Sequence, residues 1–140
     1  MPYQMMYSSQ ATRPMTVEGL EEILADARSG NERRNVTGAL VHVDGVFFQI
    51  LEGERDVVQS LMQSIRRDTR HGSVKVFFER EVDKRAFQDW RMAYLSASRE
   101  QMSQWAGLPG AVSVEQLLED VGRDPQRVPA ILVNILKSIA

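Results

Sequence analysis

Residues 36–53, VTGALVHVDGVFFQILEG, decide the fold of this chain. Two runs rich in β-branched and aromatic residues flank Asp44-Gly45, a dipeptide that tolerates positive φ and suits the tight turn of a β-hairpin. A two-residue turn sets Val43 opposite Val46 and Val41 opposite Phe48. Side chains alternate along a strand, so Leu40, Phe47, Gln49 and Leu51 share one face and Val41, Phe48 and Ile50 the other. Both faces are apolar. The hairpin therefore belongs in the middle of a sheet covered above and below, because a single layer of helices would leave one apolar face in water. Gln49 is the exception, an amide that needs partners if buried.

Outward from the hairpin, residues 3–9 form a first strand in which Tyr3, Met5, Tyr7 and Ser9 alternate with Gln4, Met6 and Ser8. Pro14 ends it. Thr16 then caps a helix striped by Val17, Leu20, Ile23, Leu24 and Ala27, with Gly30 as a left-handed stop and 31–35 as a polar loop. After the hairpin, a second amphipathic helix carries Val57, Val58, Leu61, Met62 and Ile65 and closes with Arg66, Arg67, Arg70 and His71 before Gly72. A fourth strand over 74–78 follows. Residues 83–89 are a charged connection, and 90–95 form a fifth strand with Trp90, Met92 and Tyr94 on one face.

This order predicts an α+β, ferredoxin-like βαββαβ sheet with an extra strand, its two helices on one face because the crossovers are right-handed. Ser98 with Gln101 and Ser113 with Gln116 are capping-box signatures, and Asp124-Pro125 starts a last helix striped by Val128, Ile131, Leu132, Ile135, Leu136 and Ile139. These C-terminal helices are expected on the other face, where Val41, Phe48 and Ile50 need cover. The expected division is a domain over 1–95 and a helical extension, 96–140, packed on its sheet.

The 140 residues, 43% hydrophobic and 26% charged, suit one globular domain. A net charge of −2 offers no broad attraction to a polyanion, which argues against nucleic acid as a partner. No apolar run is long enough to span a membrane, and the start MPYQMMYSSQ lacks a basic segment followed by an apolar one, so a cytoplasmic protein is expected. With no cysteine, disulfides, thiolate catalysis and cysteine metal sites are excluded. His42 and His71, the two histidines, are too few for a three-histidine zinc site, and no metal is expected.

Tyr7, Asn31, Gln49, Trp90, Met92 and the basic end of the second helix remain as candidates for function. They form no acid-base or nucleophile set, so the chain is not expected to be an enzyme. Taken singly, each has an ordinary structural reading: a core tyrosine, a turn asparagine, an aromatic-methionine packing pair, a solvated basic helix end. Taken together and in order, Tyr7 in MYSSQA, Asn31, the hairpin with Gln49, Arg70-His71 in DTRHGS and Trp90-Arg91-Met92 resemble the BLUF family of blue-light sensors that bind FAD. The resemblance covers roughly residues 1 to 95, and the residues beyond look like the helical tail of stand-alone members.

The resemblance implies a non-covalent FAD whose isoalloxazine ring lies between the two helices, with Ile23 and Ile65 lining the slot. It implies that Asn31 pairs with the carbonyl and imide edge of the ring, and that Arg66, Arg70 or His71 sits near the ribityl phosphate end. FMN or riboflavin fits the same ring slot. Tyr7, Gln49, Trp90 and Met92 would be photoactive: light drives electron and proton transfer from Tyr7, and the Gln49 amide rearranges. The signal would leave through the last strand and C-terminal helices to a separate partner protein, and a homodimer is one assembly open to the chain. One departure is Gly30, which occupies a position where relatives often carry a ring- or amide-bearing side chain, so one contact to the ring edge is missing. Two other classes share the topology. An RNA- or ligand-binding module would use the aromatics Phe47 and Phe48, but acidic charge and a covered sheet oppose it. An acylphosphatase-like hydrolase would use Asn31 with Arg33 or Arg34, but no glycine-rich phosphate loop follows the first strand.

Overall fold

Asp44 and Gly45 take φ of 47° and 82° and close a two-residue turn between β2 (Thr37–Val43) and β3 (Val46–Gly53). The register sets Val43 opposite Val46 and Val41 opposite Phe48, as turn chemistry and alternation require. The computed structural model describes residues 1–12, 16–98, 100–101, 114–123 and 125–139. Three further strands complete the sheet, β1 (Tyr3–Ala11), β4 (His71–Glu81) and β5 (Ala93–Ser96), in the order β4-β1-β3-β2-β5. All neighbours are antiparallel except β2 and β5. The ferredoxin-like arrangement with an added edge strand is therefore the fold of this chain.

Helices α1 (Val17–Arg34) and α2 (Arg55–Arg67) cover one face. Their cluster holds Tyr3, Met5, Tyr7, Leu24, Leu40, Phe47, Leu51, Val58, Met62 and Met92. On the other face, Met6, Val41, Phe48 and Ile50 pack with Phe87 and with Val121, Val128, Leu132 and Leu136. The last four belong to α3 (Val114–Arg123) and α4 (Val128–Ile139), which a 3₁₀ turn, Pro125–Arg127, joins. Ser98 and Gln101 make the expected reciprocal cap: the Ser98 amide donates to Gln101 Oε1 at 2.9 Å and the Gln101 amide to Ser98 Oγ at 3.1 Å. Pro14, Ser113 and Asp124 lie outside the described residues. No helix among the described residues is long and apolar enough to cross a membrane.

Several boundaries differ from the sequence expectation: β1 runs on to Ala11, and Pro125 opens a 3₁₀ turn, so that the last helix starts at Val128. Gly30 does not stop α1; it is buried inside the helix, which runs four residues further and ends where Asn35 takes a left-handed φ of 55°. Asparagine tolerates that conformation, and the Asn35 amide bonds back to the Glu32 carbonyl at 3.3 Å. The fourth strand extends beyond 74–78 in both directions because β1 offers a longer edge to pair with. The fifth strand starts at Ala93, so Trp90 and Met92 lie before it and period-two alternation does not govern them.

Two contacts bring the segment before β5 onto the sheet. Glu52, fully buried on β3, accepts from Gln4 Nε2 at 2.9 Å and from the amides of Ala86 and Phe87 at 2.9 and 2.7 Å. The Gly38 amide donates to the Trp90 carbonyl at 3.0 Å. A Cβ on Gly38 would lie 1.9 Å from the Ile50 carbonyl oxygen, so only glycine lets β2 approach β3 there.

Candidate functional site

The helix-covered face of the sheet and the facing sides of α1 and α2 enclose a cleft of about 220 Å³. Ile23, Ala27, Leu40, Phe47, Leu61 and Ile65 give it apolar walls, and Tyr7, Asn31 and Gln49 supply polar groups. Such a composition suits a flat, largely apolar ligand held in orientation by a few hydrogen bonds.

Tyr7 and Gln49 are direct cross-strand partners on β1 and β3. The Tyr7 hydroxyl donates to Gln49 Oε1, and Gln49 Nε2 donates to Met92 Sδ at 3.4 Å. All three side chains are buried. The first bond fixes the amide, whereas a thioether accepts only weakly, so the Nε2 end is loosely held. The β1–β4 register shifts between Met6 and Tyr7, an irregularity of the sort that re-aims a side chain beside a site.

Burial pushes the Tyr7 phenol well above its ordinary pKa, and the negative charge of Asp68 adds to the effect. In the unfolded chain the phenol titrates near its ordinary value of 10.0. Above that pH the unfolded chain releases a proton that the folded protein keeps. This contribution to stability is fully present below pH 10.0 and is lost progressively as pH rises towards the folded value. Between about pH 10 and 11, the denaturation midpoint of the parent should therefore fall more steeply than that of Tyr7→Phe. Parallel profiles would show that Tyr7 is not the titrating group.

Asn31 is 2% exposed and lies on α1, the helix that carries on past Gly30. Its Nδ2 donates to the Arg91 carbonyl at 3.1 Å, and its Oδ1 has no hydrogen-bond partner among the described residues. A buried acceptor left in this way costs about 1 to 3 kcal/mol unless a ligand satisfies it. The unmet acceptor and the remaining N–H, side by side on a cleft wall, fit a ring edge that alternates carbonyl and imide groups.

The other expected site residues divide. Ile23 and Ile65 line opposite walls. Arg70 also lines the cleft, with its guanidinium on Asp68 at 2.6 Å and on Asp26 of α1 at 3.0 Å, and these carboxylates hold its charge further above the usual range. Arg66 is exposed and lies outside the cleft lining. His71 pairs through its backbone with Ala11; its side chain lies outside the described parts. Trp90 packs in the opposite layer, edge-on to Phe87 at 6.3 Å between centroids, while Met92 belongs to the Tyr7 side. Trp90 and Met92 thus do not share the face that strand alternation would give them, because turns carry residues 87–92.

Ser9, Asp26, Arg34, Ser64 and Asp68 also line the cleft; the sequence reading names none of them as a flavin ligand, and Arg34 only as a candidate of the hydrolase alternative. For Arg34 a signal exists. Positions 23, 27, 31 and 34 follow one helical stripe once the helix is continued through Gly30.

The chain is similar to known proteins. The family described as BLUF, sensors of blue-light using FAD, matches residues 3–93. The photoactivated adenylate cyclase subunit beta of Euglena gracilis is 34% identical over 131 residues, which are 93% of this chain. The chain spans 15% of the length of that relative. Among solved structures, BlsA in its ground state superposes with a TM-score of 0.71 at 32% identity, over 79% of this chain and 76% of that one. The dark state of BlrB, a BLUF protein, gives a TM-score of 0.77 over 95% of this chain and 96% of that one; at 23% identity it speaks for the fold.

Proposed function

Because this chain belongs to the BLUF family of blue-light flavin sensors, we propose that it binds one FAD non-covalently in the cleft between α1 and α2 and switches through Tyr7 and Gln49. The observation that carries the reading is the Tyr7–Gln49 hydrogen bond at the edge of a cleft whose buried Asn31 acceptor has no protein partner among the described residues. Ile23 and Ile65 would hold the ring and Asn31 would orient its polar edge, with Arg70 also in the cleft lining. A bound flavin supplies light absorption and a transient acceptor for an electron and a proton.

Tyr7 holds its proton at Oη and thereby fixes Gln49 Oε1. When that proton leaves, the hydroxyl stops donating and the amide loses the bond that sets its orientation. Nε2, held only by Met92 Sδ, is free to turn at little cost, and the amide presents the other end to the cleft. Met92 precedes β5 directly, so the change reaches Ser98 and the C-terminal helices through that strand. The chain itself catalyses no reaction in this reading. It acts in the cytoplasm and passes its state to a separate effector protein; the Euglena relative is itself a subunit of a photoactivated adenylate cyclase.

The purified protein should be yellow, and heating should release FAD at one equivalent per chain. A colourless protein that takes up no flavin on refolding would reject the reading, and release of FMN alone would reject the dinucleotide.

A further inference from the structure

Two cations line the cleft, and they differ in how their charge is met. Arg70 has Asp68 and Asp26. Arg34, one turn beyond Gly30 on the same wall as Asn31, has no carboxylate or hydrogen-bond partner among the described residues. Its placement depends on Gly30. A Cβ built on that glycine would stand 2.5 Å from Arg34 Nη1 and 3.8 Å from Cζ. The side chain therefore folds back along α1, as helical side chains do, and occupies the space that any other residue at position 30 would claim. A glycine inside a helix is less stabilising than alanine, and here it admits a guanidinium to the cleft wall.

We propose that Arg34 is a flavin-binding residue, admitted by the bare Gly30, which brings positive charge and N–H donors to the Asn31 end of the cleft. The assignment rests on the flavin-sensor reading. An arginine there does more than hold the ring. Reduction adds negative charge to a flavin, and a cation with no carboxylate partner beside it favours the reduced form. Arg70, neutralised by two carboxylates, contributes less to that preference.

The test is the midpoint potential and flavin dissociation rate of the purified holoprotein, measured for the parent, Arg34→Gln, Arg33→Gln and Gly30→Ala. Arg33→Gln removes the same charge from the same helix end without touching the cleft lining, and should behave as the parent. Arg34→Gln should reduce the preference for reduced over oxidised flavin about tenfold, a fall of about 30 mV for a two-electron couple, and should speed flavin loss. Gly30→Ala keeps every charge and improves helix propensity, so it should fold at least as well; its Cβ displaces the flexible end of Arg34 and should lower the potential in the same direction. Combining Gly30→Ala with Arg34→Gln should add little to Arg34→Gln alone. Potentials and dissociation rates equal in Arg34→Gln and Arg33→Gln would overturn the assignment while leaving the sensor reading intact. A parent protein that holds no flavin would overturn both.

Discussion

Illumination should leave the flavin absorption band unmoved in Tyr7→Phe and in Gln49→Leu, whereas the parent shows a small, reversible red shift. Both variants should remain folded and yellow. Tyr7→Phe keeps the buried ring and removes only the hydroxyl that donates to Gln49 Oε1, costing about 1 kcal/mol of stability. Gln49→Leu keeps most of the volume on a strand position that faces Leu40, but leaves the Tyr7 hydroxyl without its acceptor, costing about 1 to 3 kcal/mol. Neither loss unfolds a domain with two packed sheet faces. The switch depends on the pair because the hydroxyl fixes one end of an amide whose other end rests on a weak sulfur acceptor. A normal red shift in Gln49→Leu would reject the hydrogen-bond switch even in a protein that binds flavin, and a normal shift in Tyr7→Phe would remove the phenol from the mechanism.

Glu52→Ala should be the most destabilising of these substitutions, although Glu52 does not line the cleft. Its carboxylate is fully buried and accepts from Gln4 Nε2 and from the amides of Ala86 and Phe87. Truncation leaves two buried donors and one half-buried donor without an acceptor, at about 1 kcal/mol each, for a total on the order of 3 kcal/mol. For a chain of this size that lowers the melting temperature by about 10 °C. The loss also has an address. Hydrogen exchange should speed up at the amides of Ala86 and Phe87 ahead of the rest of the sheet, because those two lose their acceptor directly. A melting temperature within about 2 °C of the parent would show that water or a neighbouring group replaces the carboxylate. Unchanged protection at Ala86 and Phe87 would show that the segment before Met92 is held by Phe87 packing alone.

Much of this molecule is legible in its sequence alone, and the reason is distance along the chain. The Asp44-Gly45 turn, the alternation around it, the Thr16 and Ser98 caps and the apolar stripes of α2 and α4 each depend on residues a few positions apart, whose steric and hydrogen-bond preferences act whatever the rest of the chain does. The two apolar faces of the hairpin already require two covering layers, and Tyr7, Asn31 and Gln49 are polar groups on or beside apolar surfaces. Contacts across long separations are settled otherwise. That Tyr7 stands directly opposite Gln49 depends on the β1–β3 register, and its hydrogen bond closes over 42 positions. That Glu52 is a buried acceptor depends on residues 34 and 35 positions away. Trp90 and Met92 part to opposite faces because turns held by Glu52 and Gly38 precede β5. Gly30 lies inside a helix because Asn35, not the glycine, makes the left-handed stop, and that shift of one turn brings Arg34 onto the cleft wall. Propensity names what a residue tolerates; packing against residues far along the chain selects which of the tolerated states it takes.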